Sequence, residues 1–224
     1  MVISKQVREI AKQLEDIAME LDSQAYHTVK PAWIDLRKDL PYNPDPDNRQ
    51  FPQGQHDWAT VTEKTGITIH HIGIEGATVQ GTAAWTTRSI YQGGKGLPRL
   101  QYHFWVGRDG TVYYCTDLKY GQWHDHQGYP NSHIAVALEG RLDITPPTEV
   151  QLTMAGRLIA WLMSEYALSI DVVRGHSDYY KGICPGWTEW RLSLMESVQT
   201  FSIIPDFSIM GVPVQEIHDD LGKE

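Results

Sequence analysis

Two cysteines, Cys115 and Cys184, leave room for one disulfide at most. A reducing compartment disfavours even that one, so the chain is not read as a disulfide-held scaffold. No stretch is long and apolar enough to cross a membrane, and membrane insertion is not expected. The N-terminus, MVISKQVREIAKQ, lacks the apolar core of a secretory leader. The expectation is a chain made in a cytoplasm without a signal peptide. Positive charge is also short: 19 Lys and Arg stand against 28 Asp and Glu, for a formal net charge of −9. That balance speaks against a protein that grips nucleic acid through its phosphates. It speaks less against other anionic polymers, since a local basic patch can survive a negative total. Internal repeats and low-complexity tracts are absent.

What is present suits a globular domain with extensions, at 41% hydrophobic and 21% charged residues. Eight Trp and eleven Tyr either fill a core or offer faces for stacking, and composition does not choose between these. Residues 5–22 have the spacing of an amphipathic helix, with Val7, Ile10, Leu14, Ile17 and Leu21 on one face. That face packs on the main domain or docks a partner copy; the oligomeric state stays open. Residues 40–56 are rich in Pro, Asn, Asp and Gln and read as a linker or an irregular wrap. The expected division is an N-terminal helix and linker (1–57), a domain (58–200) and a C-terminal tail (201–224).

Within that domain, TGITIHHIGI (65–74) reads as a buried strand and TAAWTTRSIYQ (82–92) as a helix. YHFWVGRDGTVYYC (102–115) is a hairpin turning at Arg108-Asp109-Gly110. SHIAVALEG (132–140) is another core strand. Thr148, with Gln151 three residues on, has the capping-box signature and starts a helix whose buried stripe includes Leu152, Ala155, Ile159, Leu162, Met163 and Tyr166. Strands mixed with helices predict an α/β domain built on a central mixed β-sheet flanked by helices, with an N-terminal helical extension.

Chemistry gathers in RGHSDYYKGICPG (174–186), where His176 and Cys184 stand eight positions apart. A catalytic zinc site needs three protein ligands and an open position, and these two could supply a part. A third would have to come from a rigid element. His70 and His71 end the first strand, and adjacent strand residues face opposite ways, so only one of them can face such a site. On these residues alone, a surface loop with two soft ligands stays open beside a metal site.

The order ITIHHIG, QYHFWVGRDGTVYY, WHDHQGYPNSHIAVALEG, GHSDYYKGICPG resembles the type 2 N-acetylmuramoyl-L-alanine amidases, a family that includes phage lysozyme-type amidases and peptidoglycan recognition proteins. The resemblance covers roughly residues 60–200. It implies a zinc hydrolase that cuts the amide between N-acetylmuramic acid and L-alanine in peptidoglycan, with peptidoglycan or muropeptide as its partner. It implies zinc held by His70, His176 and Cys184, with His71 a neighbour. Tyr102 matches a tyrosine beside the zinc, for oxyanion stabilisation or proton transfer. Lys181 stands three positions before the last ligand, where relatives with a lysine carry it two before, so either the loop brings it in or it is an exposed loop residue. Some relatives place a Glu base where this chain has Ala137; Glu139, two residues on, is read as a strand-end carboxylate. His124 aligns with a groove-lining histidine, while His126 has no match and reads as a solvated loop residue. Trp85 and Trp123 are candidates for the groove wall.

The resemblance leaves three roles: a phage endolysin that reaches the wall through a lysis pore, a cytoplasmic wall-recycling amidase, or a binding module without catalysis. Recognition proteins that only bind lose ligands of the set. All three are present here, which favours catalysis.

Overall fold

The structure, a computed structural model, describes residues 28–47, 51–88 and 95–202. The helix expected at 5–22, residues 89–92 of the second expected helix and all but the first two residues of the tail lie outside them.

Six strands form one mixed sheet, in the order β1 (Ile34–Asp35), β5 (Val112–Tyr114), β4 (Phe104–Val106), β7 (His133–Leu138), β3 (Gly66–His71), β8 (Val173–Gly175). Only the β4–β5 hairpin is antiparallel; the other neighbours run parallel. A separate antiparallel pair joins β2 (Ala59–Thr60) to β6 (Tyr120–Gly121). The expected mixed sheet flanked by helices is therefore what forms. The hairpin turns at the expected residues: Gly110 N–H donates to Gly107 C=O, and Asp109 accepts from Thr111 N–H. Gly110 sits at φ 83°, a left-handed conformation that favours glycine.

Alternation along the strands gives the sheet two unlike faces. Ile67, Ile69, Phe104, Val106, Ile134, Val136 and Leu138 form one core with the helices α2 (Glu149–Glu165) and α3 (Trp190–Ser202). Thr68 and His70, the residues between, point to the other face. There α1 (Val79–Arg88) packs Val79 and Ala83 with Leu36, Leu40, Leu100, Trp105 and Cys115. In register with His70 is Ala137, so a small side chain leaves room beside the imidazole. Both cysteines are free thiols, and burial raises Cys115 well above its ordinary pKa.

Of the two readings of residues 40–56, the irregular wrap is what forms where Leu40 and Phe51 are buried, and ahead of it Ile34–Asp35 adds an edge strand. Two local expectations differ from what forms. Helix α1 begins at Val79 rather than 82, because Thr78 Oγ1 accepts the Gly81 N–H at 3.0 Å and so starts the helix earlier. Thr148 caps α2 as expected, accepting from Gln151 N–H at 3.1 Å. The Gln151 side chain does not return to the cap. It donates instead to the carbonyls of Val106 and Glu139 at 2.9 and 3.1 Å, tying α2 to the sheet.

Two predictions test this packing. Gly156 lets α2 approach α3: a Cβ there would meet the Ser197 Cβ at 2.6 Å and its carbonyl carbon at 2.8 Å. Gly156→Ala should destabilise the fold by about 1–3 kcal/mol in chemical denaturation. Lys64 is buried, donates to Tyr120 C=O at 2.8 Å and lies 3.3 Å from His103 Nε2. Burial lowers its pKa from 10.5 to about 7. Between those two values the unfolded chain holds a proton that the folded chain has lost, so Lys64 makes stability rise with pH across that window. Lys64→Met should flatten the rise when unfolding is compared at neutral and alkaline pH.

Candidate metal centre

His70, His176 and Cys184 converge beyond the carboxyl ends of the parallel strands, where open α/β sheets place their sites. One donor atom from each lies within 4.8 Å of the others. His70 is the penultimate residue of β3, on the face opposite the helical core. His176 follows β8, the neighbour of β3, and opens a short helical turn, His176–Asp178. The Asp178 carboxylate holds that turn, accepting from Gly175 N–H at 3.0 Å and from Arg191 at 2.6 Å. Cys184 returns to His176 because Ser177 N–H donates to the Cys184 carbonyl at 2.7 Å. That bond closes the loop that carries both candidate donors.

The hydrogen bonds around His70 fix which of its nitrogens is free. The His133 carbonyl can only accept, so His124 Nε2, 3.4 Å away, carries a proton. Burial lowers His124 to about 4, so the ring is neutral and its Nδ1 is an acceptor. His70 Nε2 lies 3.1 Å from that Nδ1 and therefore donates to it. His70 Nδ1 keeps its lone pair, 3.8 Å from Cys184 Sγ. This is how a metal-binding imidazole is oriented by an outer partner.

The other two donors suit the same cation. His176 Nε2 is buried and has no hydrogen-bond partner among the described residues. An orphaned buried polar atom costs about 1–3 kcal/mol unless something satisfies it. Burial keeps both imidazoles neutral: His70 lies well below the usual value, with His124 and His176 adding to the effect, and His176 is lowered too. Burial pushes the Cys184 thiol up to about 12, against the His71 N–H that donates to its sulfur at 3.3 Å. Two neutral imidazoles and one thiolate form a donor set that zinc prefers. His71 is no ligand. Its Nδ1 accepts the Leu142 N–H at 3.2 Å, and Gly186, at φ 110°, packs against its ring.

The remaining expected residues fall into two groups. Tyr102 lies beside the centre, its ring 5.2 Å from that of His70. Trp85, on α1, is 53% exposed and shares a cleft with Tyr102. Trp123 is half-buried and meets His126 edge-on at 5.6 Å. His124 differs from expectation. It has no exposed side-chain surface and cannot line a groove, because its loop folds inward behind His70. Lys181 is exposed, with no hydrogen bond or ion pair to the centre among the described residues. Glu139 accepts Arg108 N–H at 3.3 Å and so belongs to the hairpin.

Two features escaped sequence reasoning. Asp125 is fully buried and anchors the His124 loop, accepting from Thr68 at 2.5 Å, His133 at 2.9 Å, Gln127 N–H and Asn131. Burial would raise it, but those bonds, led by His133, hold it well below the carboxylate range. His126 is exposed as expected, yet its ring stacks on Tyr180 at 4.7 Å and on His176 at 5.6 Å. The HDH spacing was the signal: an acid between two histidines.

Comparison with known proteins agrees with this geometry. Residues 60–187 match the sequence family described as N-acetylmuramoyl-L-alanine amidase. Mouse peptidoglycan recognition protein 3 is 31% identical over 101 residues, 45% of this chain; that match spans 29% of the relative's length. Among solved structures, an endolysin from a Thermus scotoductus bacteriophage superposes with a TM-score of 0.57 at 16% identity, covering 75% of this chain and 99% of that one. An endolysin N-acetylmuramoyl-L-alanine amidase from Clostridium intestinale gives 0.54 at 21% identity, covering 71% and 90%. The Drosophila peptidoglycan recognition protein LB gives 0.52 at 15%, covering 69% and 88%.

The donor set makes a quantitative prediction. At pH 7 both imidazoles are already neutral and only Cys184 holds a proton, so the donors should release about one proton per chain on zinc loading. Zinc affinity should then rise at least about tenfold per pH unit between pH 7 and 9, measured by competition with a chelator. Cys184→Ala should lower that slope by about one power of ten per pH unit and remove most of the affinity. An affinity independent of pH would mean that the thiolate is not a ligand.

Proposed function

The chain belongs to the N-acetylmuramoyl-L-alanine amidase family, and on that premise we propose that it is a zinc-dependent hydrolase cleaving the amide between N-acetylmuramic acid and L-alanine in peptidoglycan. The observation that carries this reading is the convergence of one donor atom each from His70, His176 and Cys184, with the tautomer of His70 set from behind. Zinc held by these three would supply Lewis acidity toward the amide carbonyl and lower the pKa of water to about 7.

The balance of the reaction is simple. Water oxygen joins the carbonyl carbon, the C–N bond breaks, and a proton goes to the departing nitrogen. The products are a lactyl carboxylate and the free amino group of alanine. Negative charge grows on the carbonyl oxygen as the carbon becomes tetrahedral, and a positioned donor stabilises it. Tyr102, whose ring lies 5.2 Å from that of His70, carries a phenolic O–H and takes that role in this reading. His124 acts through His70 rather than on substrate: it is a positioning residue.

A binding module without catalysis is the competing reading. The intact set of three donors favours catalysis. Within the hydrolase reading, the proposed setting is a phage endolysin acting on intact wall, with recycling of soluble fragments as the alternative. Faster cleavage of intact sacculi than of soluble muropeptides would support the first.

The test is digestion of purified peptidoglycan with zinc and with a chelator. New alanine amino groups without new reducing ends, lost on chelation and restored by zinc, are the expected result. New reducing ends would identify a glycosidase and overturn the proposal; binding without cleavage would install the recognition module. Tyr102→Phe should lower kcat by about 10²–10³-fold with zinc content unchanged.

A further inference from the structure

We propose that the Lys64 amine is a nucleophile for small aldehydes, in a cavity at the end of the sheet remote from the metal centre; this does not rest on the amidase reading above. Lys64 stands two residues ahead of β3, and His70 lies near the other end of that strand. Tyr114 ends β5 and comes to the same edge as Lys64, because β5 runs antiparallel to β4. The cavity there has a volume of about 470 Å³, and its wall includes Lys64, Val61, Tyr114, Asp117, Leu118 and Tyr166. That volume falls within the range of small-molecule sites, roughly 300–1,000 Å³.

The hydrogen bonds around the amine favour its neutral form. Ala135 N–H donates to His103 Nδ1 at 2.9 Å, so that nitrogen is a lone pair. Burial keeps the His103 ring neutral, with Lys64 adding to the effect, so its one proton is on Nε2. That proton goes to the Tyr120 carbonyl at 3.1 Å, and His103 offers Lys64 no acceptor. Among the described residues, Lys64 Nζ has one acceptor, the same carbonyl, at 2.8 Å. An ammonium would bury three donors against that one acceptor, whereas a neutral amine buries two and keeps a lone pair.

No carboxylate compensates. Asp117 is paired with Arg37 at 2.9 Å, Glu63 is exposed, and the exposed Lys119 lies over the Tyr120 ring at 5.0 Å. Burial raises the Tyr114 and Tyr166 phenols, so neither is charged at neutral pH. Asp117 draws Lys64 up, but burial outweighs it and the amine falls to about 7. Lysine is seldom buried without a partner, and a methionine would fill the same space without burying an amine.

Desolvation of this kind activates lysine toward carbonyl compounds. The amine lone pair attacks the aldehyde carbon, and the C=O π pair moves to oxygen. Both N–H protons pass to that oxygen, which leaves as water, and a C=N bond joins Nζ to the former carbonyl carbon. No oxidant or reductant takes part, and water reverses the step. An aldehyde suits the site because it is uncharged and its carbon is the least crowded of carbonyls, for a lysine that is 5% exposed.

The full chain is incubated at pH 7 with limiting propanal and cyanoborohydride, which reduces and fixes the imine, and the modified lysines are mapped by peptide mass spectrometry. At that pH about half of a group at about 7 is neutral, against roughly one in three thousand of a lysine at its ordinary value. Lys64 should be modified at least about tenfold faster than any other lysine. At pH 10 the other lysines lose their protons too, and the preference should vanish. Leu118→Trp, which narrows the cavity, should slow Lys64 while the other lysines keep their rates. The proposal is overturned if Lys64 reacts no faster than exposed lysines at pH 7, if it reacts only once denaturant opens the fold, or if Leu118→Trp leaves its rate unchanged.

Discussion

One hydrogen bond sets what this centre can hold: His70 Nε2 to His124 Nδ1, at 3.1 Å. A neutral imidazole has one proton, and committing it to His124 leaves Nδ1 as a lone pair facing Cys184. The bond exists only because His124 is itself committed to the His133 carbonyl, and because the Asp125 carboxylate holds the loop inward. Without that anchoring, His70 would be free to turn its proton toward the cation and repel it.

The sheet supplies the rest of the arrangement. Parallel neighbours β3 and β8 end at the same edge, so His70 and the residue following β8 arrive together. Strand alternation then sends His70 to the site and His71 into the packing beneath it. His71 still contributes through its backbone: its N–H donates to the sulfur of Cys184. His70 and Cys184 are thus held twice, by their own strand or loop and by a hydrogen bond with a neighbour. A centre held in this way costs little reorganisation when a cation binds.

Much of this was legible in the sequence where the signal is local. The run of β-branched residues in β3, the Asp-Gly turn and the Thr148 cap each act over a few residues, and each element formed where expected. The three candidate donors were legible as residue types, and their grouping through the order of four motifs. What could not be read depends on contacts between distant segments. His124 read as a groove-lining residue because its burial comes from bonds to Thr68, His133 and Asn131 through Asp125, which no local pattern shows. Strand β1 has two residues, too few for any period, and it forms because β5 offers it an edge. Gln151 chose sheet carbonyls over its own helix end, a choice set by α2 docking on the sheet.

The central claim is the identity of the three donors, and X-ray absorption spectroscopy at the zinc edge of the zinc-loaded chain tests it most directly. The account predicts one sulfur neighbour at about 2.3 Å and two imidazole nitrogens at about 2.0–2.1 Å, with a lighter oxygen or nitrogen atom completing the shell. A shell without sulfur, or one in which Cys184→Ala leaves the spectrum unchanged, would contradict it.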